Sequence, residues 1–92
     1  MIKSFKDRRL KRLYERGDRS KVSPDMVDRI ENILGVLDRA RRIQAMNLPG
    51  FRLHALKDDL AGYWSVTVRA NWRVIFRFED GNAFDVELTD YH

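Results

Sequence analysis

The chain predicts an α+β domain: two N-terminal helices packed on one face of a mainly antiparallel sheet of four to five strands. Three observations carry this. Between Gly62 and His92 apolar residues alternate with polar ones in three short runs, the period of half-buried strands. Two earlier segments instead repeat their apolar residues every three or four positions, as helices do. Finally, strand-like and helix-like segments are not interleaved, which favours helices stacked on an antiparallel sheet over a βαβ plan.

Taken in order, Met1 to Phe5 alternates enough to form an edge strand. From about Asp7 to Arg16, Leu10, Leu13 and Tyr14 mark a first helix, and Gly17 supplies its C-cap. Ser23-Pro24-Asp25 is a second start signal, with serine as N-cap, proline at the first helical position and an acid in the first turn. Met26, Ile30, Ile33, Leu37 and Ala40, widened by Val27 and Leu34, then define a helix to about Arg39. Gly35 inside it costs up to about 1 kcal/mol without evident reason.

Arg41 to Gly50 reads as a connector holding one short helical turn and closing on Leu48-Pro49-Gly50. Phe51 to Leu56 is a strand with Phe51, Leu53 and Ala55 inward and Arg52, His54 and Leu56 on the opposite face. In the final meander Trp64, Val66 and Val68 share one face with Trp72, Val74, Phe76, Phe78 and with Phe84, Val86, Leu88. To keep them there, a three-residue loop Glu79-Asp80-Gly81 with a glycine bulge pairs Phe76 with Phe84, Val74 with Val86 and Trp72 with Leu88. A loop Arg69-Ala70-Asn71, with Asn71 at positive φ, likewise opposes Val68 to Trp72 and Val66 to Val74.

Ninety-two residues without repeats or linkers make one domain, residues 1–92. With no cysteine, thiol nucleophiles and cysteine-ligated zinc are excluded, and a reducing, cytoplasmic setting is expected. No spanning segment interrupts the charge pattern, so no membrane role is expected. The net charge of +4 is uneven: residues 1–49 carry thirteen Lys or Arg against seven Asp or Glu, residues 50–92 five against seven. A basic N-terminal half favours a polyanionic partner, most simply nucleic acid.

The chemistry-bearing residues lie elsewhere. The two histidines, His54 and His92, can act as base or acid near neutrality. If the strands ending near Lys57 and at Asp90 lie side by side, they gather imidazole, ammonium, carboxylate and phenol, the set required for RNA cleavage without a metal. Arg73 is open to two readings, phosphate binding or a surface ion pair with Glu87 across the strands. Tyr91 is either core filling or a stacking partner for a base. Two histidines and one aspartate without close spacing do not suggest a metal site.

The segments MIKSF, PGFRLHALK and GYWSVTVRANWRV and the terminal DYH, in that order over the whole chain, resemble the HigB toxins of bacterial toxin-antitoxin systems, a branch of the RelE/ParE superfamily also called plasmid maintenance killer proteins. The resemblance implies a RelE-like fold and a metal-independent, cofactor-free endoribonuclease that cuts mRNA in the ribosomal decoding site. It assigns catalysis to His54, Asp90, Tyr91 and His92 and phosphate contact to Lys57 and Arg73. Asp58 departs from the glycine often found there. The basic helical surface, Arg8, Arg9, Lys11, Arg12, Arg16, Arg19 and Lys21, would then dock on ribosomal RNA. An antitoxin of the helix-turn-helix HigA kind is implied, with operator DNA bound only through it. Two alternatives are a ParE-like, non-enzymatic poison of DNA gyrase on the same fold and a plain binding module.

Overall fold

Why the chain forms two helices is visible at their ends. The computed structural model describes residues 1–90, so Tyr91 and His92 lie outside the described residues. Helix α1 spans Arg8–Arg16 and begins where the Asp7 carboxylate accepts the backbone N–H of Arg9 at 3.0 Å. It ends at Gly17, whose φ of 67° lets its N–H reach the Leu13 carbonyl while Asp18 N–H reaches Arg12. Helix α2 spans Pro24–Arg39 and buries Met26, Val27, Ile30, Ile33, Leu34 and Leu37. Each such side chain contributes about 1.5–3 kcal/mol over leaving it in water. The Ser23 hydroxyl does not cap the helix; it donates to the Asp25 carboxylate, and Pro24 alone sets the start. A Cβ on Gly35 would meet only the end of Arg39 at 3.6 Å, so nothing in the fold explains the glycine.

The connector holds a 3₁₀ turn at Ile43–Met46, as expected. The sheet follows as β1 (His54–Ala55), β2 (Tyr63–Arg69), β3 (Trp72–Glu79) and β4 (Asn82–Asp90), antiparallel throughout and in that spatial order. The N-terminal segment lies parallel along β4 through isolated bridges at Ile2–Ala83 and Phe5–Val86, giving the sheet a fifth edge. Helix α2 packs on β2 and β4, and α1 on α2 and β4. The core between these layers includes Leu10, Ile30, Leu37, Val66, Val74, Phe76 and Val86.

Both hairpin registers differ from the expected ones. Glu79 pairs with Asn82, so the β3–β4 loop is the two-residue turn Asp80-Gly81, with φ of 51° and 77° as a type I′ turn requires. That turn alone would put the apolar residues of β4 on the wrong face. A bulge corrects it: Asp85 takes φ 55°, and beyond it Val74 pairs with Leu88 and Trp72 with Asp90. The consequence is that Ala83, Val86 and Leu88 face the core, while Phe84 turns outward beneath the Arg77 guanidinium, 5.2 Å from its ring centroid. In the β2–β3 hairpin Val66 does pair with Val74, but Arg69, rather than Val68, opposes Trp72. The positive φ falls on Ala70, at 48°, and not on Asn71.

The strand expected over Phe51 to Leu56 shrinks to His54–Ala55, because Arg52 takes φ 51° and breaks the extended run. Phe51 enters the core and Arg52 and His54 face outward, but Ala55 is exposed and Leu56 is buried outside the main core cluster.

Candidate functional site

The face of the sheet turned away from the helices carries the candidate chemistry. Its cross-strand rows are set by the ladder: His54 opposes Ser65, Ser65 opposes Ile75, and Ile75 opposes Glu87. One row on, Thr67 opposes Arg73, which opposes Thr89. Because β-strand side chains alternate, His54, Ser65, Thr67 and Arg73 project to one side. With Arg52 they line an open concavity of about 240 Å³. Ser65 is only 4% exposed and forms part of its floor.

The rim is anchored from below. The Phe51 carbonyl accepts Thr67 N–H at 2.7 Å, and Arg29 of α2 donates to the carbonyls of Gly50 at 2.7 Å and Thr67 at 3.1 Å. The same guanidinium lies over the Phe51 ring, 4.8 Å from its centroid. Arg73 donates to the carbonyls of Ala70 at 2.6 Å and Trp72 at 3.2 Å. The ion pair with Glu87 is not formed, since the true register places Thr89 opposite Arg73.

Of the residues singled out in the sequence, the structure therefore brings together His54 and Arg73. Lys57 is exposed at the start of a second 3₁₀ turn, Asp58–Leu60, and is not part of the lining. Asp90 ends β4, one position beyond Thr89 and opposite Trp72, at the same end of the sheet as Arg73. Tyr91 and His92 fall outside the described residues. Sequence reasoning missed Arg52, Ser65 and Thr67 as site residues. The outward alternation of Arg52 with His54 was the available signal for the first. Asp58 has φ 57°, a conformation that suits glycine, which is the physical reason a glycine would serve there.

The expected docking surface is partly neutralised. Arg9 is paired with Asp7 at 2.8 Å, Arg12 lies 4.0 Å from Asp18, and Arg19 pairs with Asp28 and, at 3.7 Å, with Glu31. Arg8, Lys11, Arg16 and Lys21 form no ion pair among the described residues, although Lys21 lies in the field of Asp18. Asp7 also accepts Leu88 N–H at 3.1 Å, which ties α1 to the C-terminal end of β4. Burial would push the Asp7 carboxyl up, but the Arg9 guanidinium and the two N–H groups outweigh it and hold it below the ordinary range.

The other end of the same face is closed. Asp85 accepts from Arg77 Nε at 2.9 Å and from the Tyr63 hydroxyl at 3.4 Å, Lys6 donates to Tyr63 at 3.1 Å, and Asp85 N–H is taken by the Ser4 hydroxyl at 2.9 Å. The Arg77 hydrogen bond is the main cause of a lowered Asp85 pKa. Among the described residues no three His, Asp or Glu side chains are grouped so as to hold a metal ion, and no helix is long and apolar enough to cross a membrane.

Comparison with known proteins agrees with the fold. Residues 3–92 match the family described as "RelE-like toxin of type II toxin-antitoxin system HigB". The chain is 49% identical to Endoribonuclease HigB of Proteus vulgaris over the full length of both chains. It is 31% identical over 90 residues to Toxin HigB-1 of Vibrio cholerae serotype O1, covering 96% of this chain and 95% of the other. Among solved structures, a chain of the heterotetrameric YoeB-YefM toxin-antitoxin complex of Staphylococcus aureus superposes with a TM-score of 0.65 at 19% identity, covering 100% of this chain and 95% of that one. Two helices on an outward-facing antiparallel sheet, matched by sequence almost end to end, make this chain a member of the HigB-like family of RelE-like toxins of type II toxin-antitoxin systems.

Proposed function

We propose that residues 1–92 act as a single toxin domain, an endoribonuclease that cuts mRNA on the translating ribosome and so arrests protein synthesis in the cytoplasm. The observation that carries this is the outward concavity, in which His54 shares the lining with the cations Arg52 and Arg73 on the sheet face turned away from the helices. RNA cleavage by side chains alone begins when a base removes the 2′-hydroxyl proton and the 2′-oxygen attacks the adjacent phosphorus. The P–O5′ bond then breaks, an acid protonates the departing 5′-oxygen, and a 2′,3′-cyclic phosphate remains.

His54 and the terminal Asp90 and His92 share the two proton transfers, in either order. Arg73 and Lys57 offset charge on the phosphorane, and Tyr91 positions a base by stacking. The cations on and after α1 that form no ion pair among the described residues, chiefly Arg8, Lys11, Arg16 and Lys21, dock the protein on ribosomal RNA, with Arg9, Arg12 and Arg19 contributing less because acids already face them. A helix-turn-helix antitoxin of the HigA kind binds the toxin, and operator DNA is reached only through that antitoxin.

Mapping the 5′ ends of a defined mRNA, with and without ribosomes, tests this. New ends at fixed positions within codons only when ribosomes translate are the expected result. Intact mRNA in both reactions would favour a gyrase poison; equal cutting in both would remove the ribosome from the mechanism.

A further inference from the structure

Among the described residues that line the concavity, Arg52 alone holds a positive φ. Its φ of 51° is a left-handed conformation that glycine adopts freely and a residue with a Cβ adopts only under strain. Nothing its own side chain does offsets that strain. Among the described residues the guanidinium makes no hydrogen bond and no ion pair, and the side chain is exposed.

The conformation is imposed from both flanks. On one side Phe51 is 2% exposed, with its carbonyl fixed by Thr67 and its ring under Arg29, which also grips Gly50. On the other, His54 is held in the ladder opposite Ser65. A chain pinned at both ends turns Arg52 out into the concavity beside His54. Strained residues held by well-determined surroundings concentrate at functional sites.

The other cations compare unfavourably. Arg73 already donates to two loop carbonyls, and Lys57 is not part of the lining. Arg52 keeps its donors unengaged, and a guanidinium matches two phosphate oxygens at once.

We propose that Arg52 is a further substrate-contacting cation, beside Arg73 and Lys57, and the one that grips the non-bridging oxygens of the scissile phosphate of the RNA, with Arg29 the positioning residue that holds its loop; this rests on the nuclease reading above. Arg52 offers its fork to the non-bridging oxygens while His54 exchanges a proton beside them. Strain in the free protein is the cost of presenting that fork without a partner.

The test uses the full chain with a single-stranded trinucleotide lacking 2′-hydroxyls, which binds but cannot be cut, followed through the arginine Nε–H signals. One signal, absent from Arg52→Lys, should shift saturably. Arg52→Gln should weaken binding about tenfold and flatten its salt dependence by about one phosphate. Arg52→Gly should weaken binding equally yet raise Tm by about 4 °C, because strain is relieved. A merely structural arginine would lower Tm in both variants.

On programmed ribosomes, Arg52→Gln should slow single-turnover cleavage at saturating protein about a hundredfold. An unmoved Arg52 signal, or parental binding and salt slope in Arg52→Gln, overturns the proposal. If the parent chain leaves mRNA on ribosomes whole, the nuclease reading falls and the trinucleotide still decides Arg52. If the parent cuts and Arg52→Gln cuts equally fast, Arg52 loses its role and the nuclease stands.

Discussion

Two halves of one sheet face spend their charge in opposite ways. Towards the β3–β4 turn, Lys6, Tyr63, Arg77, Glu79 and Asp85 satisfy one another, and two cations lie over aromatic rings. Towards the β2–β3 turn, Arg52, His54 and Arg73 line an open concavity with no acid lining it among the described residues. What separates them is whether the cations are neutralised by acids: Arg73 gives donors to two loop carbonyls, but among the described residues neither it nor Arg52 has an acidic partner, and only that arrangement can bind a polyanion with a gain.

The comparison can be broken most severely in the open half. His54→Ala should lower ribosome-dependent cleavage by about 10²–10⁴-fold, the usual worth of a general acid or base, while ribosome binding measured by co-sedimentation is unchanged. The scaffold beneath that half comes next. Arg29→Ala removes two charge-assisted hydrogen bonds and a ring contact, and denaturant unfolding should show a loss of about 2–3 kcal/mol together with slower cleavage.

In the closed half, Asp85→Ala should cost about 1–2 kcal/mol in stability but leave the single-turnover cleavage rate at saturation unchanged. Two carboxylates, Asp85 in this half and Asp7 at the start of α1, predict a pH effect. Asp85 and Asp7 have folded pKa values below the ordinary 3.8, so their contribution is complete above that value and is lost as pH falls beneath it. A thermal unfolding series from pH 6 to pH 2 should therefore show Tm falling mainly below about pH 4, and less steeply in Asp85→Ala. The smallest effect is expected at Asp58→Gly: relief of the positive φ should add up to about 1 kcal/mol, and loss of a carboxylate beside Lys57 should tighten trinucleotide binding slightly.

Legibility varied with how local the causes were. The cap at Gly17, the start at Pro24 and the buried stripe of α2 each depend on residues within one or two turns, and each formed where expected. The β3–β4 register did not, because it depends on a bulge at Asp85, whose N–H is taken by Ser4 from the far end of the chain. Alternation cannot reveal such a partner. It assigned Phe84 to the core, whereas the two-residue turn puts Ala83 there and the bulge then returns Val86 and Leu88. His54 was found because histidine is scarce here and chemically distinctive. Arg52 was not, since one arginine among many carries no mark in the sequence of its strained backbone or unengaged side chain.

Local signals therefore specified the elements, their order, the layer they form and the family of the chain, since periodicity, caps and motifs act over short spans. Tertiary structure alone decided which residues meet on the outward face. Register, bulges and the Arg29 clamp join segments tens of residues apart, and only closure of those long loops places Arg52 and His54 in one concavity with Ser65, Thr67 and Arg73.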